Sequence, residues 1–191
     1  FRNMTGDPKM DPWKEGLPNL LIAGISQYPG IDVVGEDRMR SCLTRKNLLE
    51  TESYTSENLA DVADETGASH VVSGFFTRAG EELRLNIAIR NMRTDTPLGS
   101  EEVRGKGESS IFPMIDELKD RIKTCFGQSG SQLLVESSVG DITTSSPEAF
   151  KLYLEGRKFH MRTDYRRSIG FMEDAVKIDP DFAMAYRSMG S

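Results

Sequence analysis

Residues 70–92, HVVSGFFTRAGEELRLNIAIRNM, decide the fold class. His70–Thr77 and Leu83–Met92 are rich in the β-branched and aromatic residues that suit strands. Between them, Arg78-Ala79-Gly80-Glu81-Glu82 supplies the glycine of a tight connection, so the stretch reads as a β-hairpin. Downstream, a turn at Thr94–Leu98 leads to a third strand near Ser100–Gly105. Ile111, Ile115, Leu118, Ile122 and Cys125/Phe126 then fall at helical spacing. Upstream, a helix is expected from Ser56 as N-cap to Gly67 as C-cap. Before it, Ile31-Asp32-Val33-Val34 reads as a short strand. Leu17, Leu20, Leu21, Gly24, Ile25 and Tyr28 mark a first helix, with Pro18 near its start and Pro29-Gly30 ending it. The order helix, strand, helix, three strands, helix predicts an α/β class: a small mixed sheet with packed helices. A strand ending near Phe1 is expected before the first helix, with its beginning cut away and a sheet position exposed.

The chain divides into three regions. Residues 1–126 form the α/β part. Residues 127–146, GQSGSQLLVESSVGDITTSS, are rich in Gly, Ser and Thr and read as a linker. Residues 147–191 are helical throughout. Ala149, Leu152 and Gly156 recur as Ala183, Tyr186 and Gly190, each pair 34 residues apart. That is the period of the tetratricopeptide repeat. Phe159, Tyr165, Ile169, Met172, Ala175, Val176 and the closing Ile178-Asp179-Pro180 fit the same pattern. Small Gly156 and Ala175 are expected where the two helices approach closely. Glu155 and Ser168 depart from the pattern. One full unit and the start of a second are present, and a solenoid needs several. The parent protein is therefore expected to continue past Ser191. Phe1 is not a start methionine, so it is expected to continue upstream as well, with any targeting or membrane segment outside these residues.

Composition excludes several classes. Net charge is −6, and Lys and Arg form no dense run with interleaved aromatics, which argues against nucleic acid as a partner. No apolar stretch approaches the roughly 20 residues of a membrane helix. Two cysteines, Cys42 and Cys125, are too few for a disulfide scaffold or a zinc site; they read as free thiols, with pairing in an oxidising compartment as the alternative. His70 and His160 lack a second ligand at metal spacing, so no metal and no cofactor is expected. Gly105-Lys106-Gly107-Glu108-Ser109-Ser110 half-matches a dinucleotide loop, but Glu108 would repel a pyrophosphate; a turn with Ser110 as N-cap is the expected role. Asp7 and Asp11 have no evident partner base or nucleophile. No catalytic residues are assigned, and the chain is not expected to be an enzyme.

With the repeat in place, the N-terminal part resembles a TolB-like domain. The resemblance rests on Phe1-Arg2-Asn3-Met4-Thr5-Gly6-Asp7-Pro8 followed by Gly16-Leu17-Pro18. It continues in Gly67-Ala68-Ser69-His70-Val71-Val72-Ser73-Gly74-Phe75 and in Ala79-Gly80 before Leu83-Arg84-Leu85-Asn86-Ile87. The junction Ser145–Ala149 into Tyr153–Arg157 resembles that family's usual entry into tetratricopeptide repeats. The resemblance implies a fold like the small α/β domain of TolB and of the curli-secretion-channel family. It implies an accessory module of bacterial serine/threonine kinases, adenylate cyclases or membrane-bound regulators, commonly in an extracytoplasmic, periplasmic position. A cytoplasmic position is the alternative. It carries no catalytic residues to transfer.

The expected function is therefore sensing or protein interaction, with a protein or peptide as partner and no direct membrane insertion. Phe150, Tyr153, Arg157 and His160 share one helix face, which in a repeat array lines the concave groove. The basic stretch Arg157, Lys158, Arg162, Arg166 and Arg167 suits an acidic or C-terminal carboxylate partner, and equally a solvated helix face. Capture would then shift the helical tail against the α/β part through the linker. Two other readings stand beside this one. One is a cell-envelope assembly domain that oligomerises through its sheet edge. The other is a small-molecule domain using the loop at Asn3, Thr5 and Asp7, which lies between a strand and a helix.

Overall fold

The structure, a computed structural model, describes residues 1–49, 51, 53–127 and 137–190. Four strands form one mixed sheet: β1 (Arg2–Asn3), β2 (His70–Ala79), β3 (Glu82–Asn91) and β4 (Thr96–Lys106), in that spatial order. β1 pairs parallel to β2 through Arg2↔Phe75 and Asn3↔Phe76, and the other pairs are antiparallel. The hairpin of residues 70–92 is thus the centre of the sheet, and Gly80 (φ +60°) makes its turn.

In β3, Leu83, Leu85, Ile87 and Ile89 are buried, while Arg84, Asn86 and Ala88 lie between them on the opposite face. The buried row meets α1 (Trp13–Ile25) and α4 (Ile111–Cys125) in one apolar cluster. α4 crosses β4 at two glycines. A side chain at Gly105 would overlap Ser110 and Met114, and one at Gly99 would crowd Cys125 Sγ. The sheet therefore buries one apolar face under two helices, as the alternation of β3 demands.

Several local expectations change. α1 begins at Trp13, so Pro18 lies inside the helix and cannot donate to the carbonyl one turn back. Thr55, not Ser56, caps α3 (Ser56–Thr66), in a reciprocal capping box with Asn58. Gly67 ends α3 in the left-handed conformation, as expected. Ser110 does not cap α4; its hydroxyl donates to the Gly107 carbonyl at 2.7 Å. Residues 31–34 join no strand. Their β-branched side chains serve packing instead, with Ile31 and Val33 half-buried against the core. Helix α2 (Glu36–Arg45), which follows them, was not expected.

Of the 127–146 stretch read as a linker, residues 128–136 lie outside the described residues. Residues 138–142 form a capped turn of helix, α5 (Val139–Ile142). Val139 is fully buried, and its N–H donates to Asp116 of α4 at 2.8 Å. Lys119, nearly buried, donates to the Ser137 carbonyl at 2.8 Å and pairs with Asp116.

The C-terminal residues form α6 (Pro147–Met161), α7 (Tyr165–Ile178) and α8 (Ala183–Met189). Ser146 caps α6 by accepting from Ala149 N–H. α6 and α7 approach at Gly156, where a Cβ would meet Met172 Cε at 2.8 Å and Phe171 Cβ at 3.2 Å. The small residue is required there, as the sequence implies. No helix among the described residues is long and apolar enough to cross a membrane.

Candidate functional site

The face of α6 proposed for a groove splits in two. Phe150 and Tyr153 are buried. Trp13 of α1 stacks on Phe150 with ring centroids 5.9 Å apart, and Phe150 stacks on Tyr153 at 6.0 Å. Phe112 meets Phe150 edge-on at 6.2 Å, and Phe182, between α7 and α8, meets Tyr153 at 5.2 Å. Gly16 lets α1 come this close, since a Cβ there would lie 3.1–3.2 Å from Leu154 and Phe150. These two aromatics are therefore covered by the chain itself. Sequence spacing along α6 could not reveal this, because Trp13 lies far away in the chain.

One turn on, Arg157 stays at the surface, with its side chain 18% exposed. Its Nη2 donates to Asp37 Oδ1 at 2.7 Å and to Glu36 Oε2 at 3.1 Å. Both carboxylates come from the first turn of α2, where acidic residues complement the helix dipole. Burial disfavours the charged guanidinium, but Glu36, Tyr153 and Asp37 outweigh it and raise its pKa. Burial, chiefly, pushes the Tyr153 phenol up. Arg157 Nε is buried and has no hydrogen-bond partner. The hydrogen bonds of the guanidinium among the described residues are thus all at Nη2, and the Nε that would complete its side-on fork is buried without an acceptor. An orphaned buried donor of this kind costs about 1–3 kcal/mol.

His160, the last of the four predicted residues, is half-buried and packs edge-on against Tyr165 at 5.2 Å. Of the remaining basic stretch, Lys158 pairs with Glu155, and Arg167 pairs with Asp164 and lies over the Phe159 ring. Arg162 and Arg166 are exposed. Glu36 and Asp37 are the site residues that the sequence reading missed. An acidic pair ahead of a basic Arg45 over one short segment was the available signal for the helix that presents them.

The N-terminal loop is self-satisfied. Asn3 Nδ2 donates to the Asp7 carbonyl at 3.0 Å and to Asp11 at 2.8 Å. Asn3 Oδ1 accepts from the Thr5 N–H and hydroxyl. Asp7 accepts from Lys9 N–H at 3.0 Å and from Arg78 at 2.8 Å. The Lys9 amide first, then Arg78, holds the Asp7 carboxyl below its usual range. Asn3, Thr5 and Asp7, the residues read as a ligand loop, are brought together, but their polar atoms are spent on fixing the turn.

Among the described residues no three His, Cys, Asp or Glu side chains cluster as metal ligands. Cys42, buried in α2, and Cys125, at the end of α4, are free thiols.

No protein-family model matches the chain. Over 198 aligned residues it is 24% identical to the putative adenylate cyclase 3 of Rhizobium meliloti (strain 1021). That alignment covers 99% of this chain and 31% of the relative, so the chain spans under a third of the curated protein it matches. Among solved structures, the LpoB C-terminal domain from Salmonella enterica superposes with a TM-score of 0.44 at 16% identity, over 55% of this chain and 76% of that one.

Proposed function

We propose that the chain is a non-catalytic interaction module of a larger bacterial signalling protein, and that it captures an acidic protein or peptide through Arg157. The carrying observation is the guanidinium itself: half-buried, charged, held through Nη2 by Glu36 and Asp37, with the buried Nε lacking an acceptor. A partner carboxylate arriving at Nη2 would replace Glu36 and Asp37, which return to water. The likeness to a putative adenylate cyclase over nearly the whole chain supports an accessory role beside a separate output domain. In this reading the N-terminal part is a TolB-like domain, the α6–α8 segment opens a tetratricopeptide array, and the module lies outside the cytoplasmic membrane.

The sequence reading expected capture to move the helical tail against the sheet. The buried Trp13–Phe150–Tyr153 seam argues that α2 yields instead. Besides its contacts with α3, where Arg45 and the following Lys46 pair with Glu65, α2 is tied to neighbouring elements by charged contacts: Glu36 and Asp37 with Arg157, and Arg40 with Glu15 at 3.4 Å. Cys42 is its single buried residue. Capture thus becomes an exchange of carboxylates at one arginine, and its free energy is the difference between the two sets.

The test is a random-peptide display selection on the immobilised chain, repeated with Arg157→Met and with the double variant Glu36→Gln/Asp37→Asn. Acidic sequences should be enriched, lost with Arg157→Met, and captured more strongly by the double variant, which no longer competes. Enrichment indifferent to both changes, or with no acidic bias, overturns the reading.

A further inference from the structure

Helix α2 stands outside the core that holds its neighbours. Cys42 of α2 and Val62 and Ala63 of α3 are buried, yet none belongs to the apolar cluster that joins α1, α4, α6 and the sheet. The ties of α2 to α6 and α1 are Glu36 and Asp37 on Arg157 and Arg40 on Glu15, all charged. The chain before it gives it reach. Residues 31–35 join no helix or strand, and only Ile31 and Val33 among them rest half-buried on the core. Released, these residues span about 17 Å at roughly 3.3 Å each. On the other side, residues 46–55 separate α2 from α3.

The pattern of α2 states what Arg157 accepts once α2 has left: an acidic pair in the first turn of a helix, with an arginine one turn on for Glu15. A second copy of this chain carries that pattern, because its own α2 is such a helix. We propose that the acidic partner of Arg157 is α2 of a second copy, so that two chains exchange α2 about a two-fold axis. The inference rests on the reading that α2 yields at Arg157. Glu36 and Asp37 of each chain meet Arg157 of the other, and Arg40 of each meets Glu15 of the other. The exchange is reciprocal and closes at two chains. Every contact broken within a chain is remade between chains, so the opposing cost is that of association. The chain's own α2 competes at an effective concentration in the millimolar range, on the order set by a short tether. Dilute protein therefore stays monomeric, and exchange answers to the local density of copies.

Complementary charge reversal in the full chain tests the exchange. Arg157→Glu sets a third carboxylate against Glu36 and Asp37. Glu36→Lys/Asp37→Lys sets two ammonium groups against Arg157. Each variant alone should be monomeric by light scattering, with its α2 amides (36–45) exchanging faster than in wild type. In a one-to-one mixture both sites are satisfied only across chains, since the new lysines of one chain meet the new glutamate of the other. The mixture should form a dimer at least roughly tenfold tighter than wild type with itself, the effect of one regained charge-assisted contact, and its α2 protection should return. Asp37→Lys, a single change at a residue 80% exposed, should pair with Arg157→Glu more weakly in the same way, which keeps the test in force if the double reversal unwinds α2. A mixture that stays monomeric, or a dimer whose α2 amides remain fast, overturns the exchange. If acidic peptides are still lost with Arg157→Met in that case, capture at Arg157 stands and a second copy is not its partner. If neither reversal alone loosens α2, the underlying reading falls as well.

Discussion

Helix α6 is held on one side by α1 and on the other by α2, and the two attachments differ in kind. The α1 contact is a buried stack of Trp13, Phe150 and Tyr153 that continues into the sheet core. The α2 contact is one arginine between two carboxylates, of which Asp37 is 80% exposed. Apolar burial is non-directional, indifferent to salt and lost only when the core opens. An ion pair at a surface contributes little, is screened, and can be exchanged for another of the same chemistry. The difference separates a permanent joint from a replaceable one, and the proposed capture of a partner rests on the second.

The comparison breaks most directly at Trp13. Trp13→Ala should cost about 3–5 kcal/mol, and urea denaturation should show α/β body and helical tail unfolding in one transition at a lower midpoint. A tail that stays folded while the sheet melts would refute the permanent joint. Gly16→Val overpacks the same seam and should cost about 1–3 kcal/mol, since Leu154 and Phe150 already crowd that position. On the replaceable side, Arg157→Met should cost no more than about 1 kcal/mol. With wild-type protein, added salt should loosen α2 while leaving the denaturation midpoint nearly fixed. The smallest effect concerns the N-terminal turn. The Asp7 carboxyl is held below its ordinary range by Lys9 N–H and Arg78, so the stability it contributes is fully present above pH about 3.9 and declines as pH falls through its folded value. Asp7→Asn should flatten the acid limb of a pH-stability curve in that window and leave neutral pH behaviour nearly unchanged.

The α/β class was legible because its evidence is local. β2, β3 and their glycine turn sit in 23 consecutive residues, and α4 shows five apolar positions at helical spacing. α2 was invisible to the same reasoning. Its sequence, EDRMRSCLTR, offers only Met39, Cys42 and Leu43 at helical spacing, too short a period among charged residues to stand out, and it buries only Cys42. Ile31–Val34 misled for the converse reason: β-branched residues favour extended backbone, but no neighbouring strand takes them up. At the candidate site, the spacing of Phe150, Tyr153, Arg157 and His160 placed them on one helix face, and composition pointed to a carboxylate for Arg157. Which of the four would be covered depended on Trp13 and on Glu36 and Asp37, contacts across more than a hundred residues that no periodicity encodes.

Amide hydrogen exchange on wild type, Arg157→Met and Trp13→Ala tests the central claim most directly. The account predicts that the α2 amides (36–45) exchange by a local opening below the global unfolding free energy. Arg157→Met should accelerate that opening alone, and Trp13→Ala should accelerate exchange in α1, α4 and α6–α8 together. If α2 exchanges only by global unfolding, and Arg157→Met leaves it unchanged, α2 is not a replaceable partner of Arg157 and the account is contradicted.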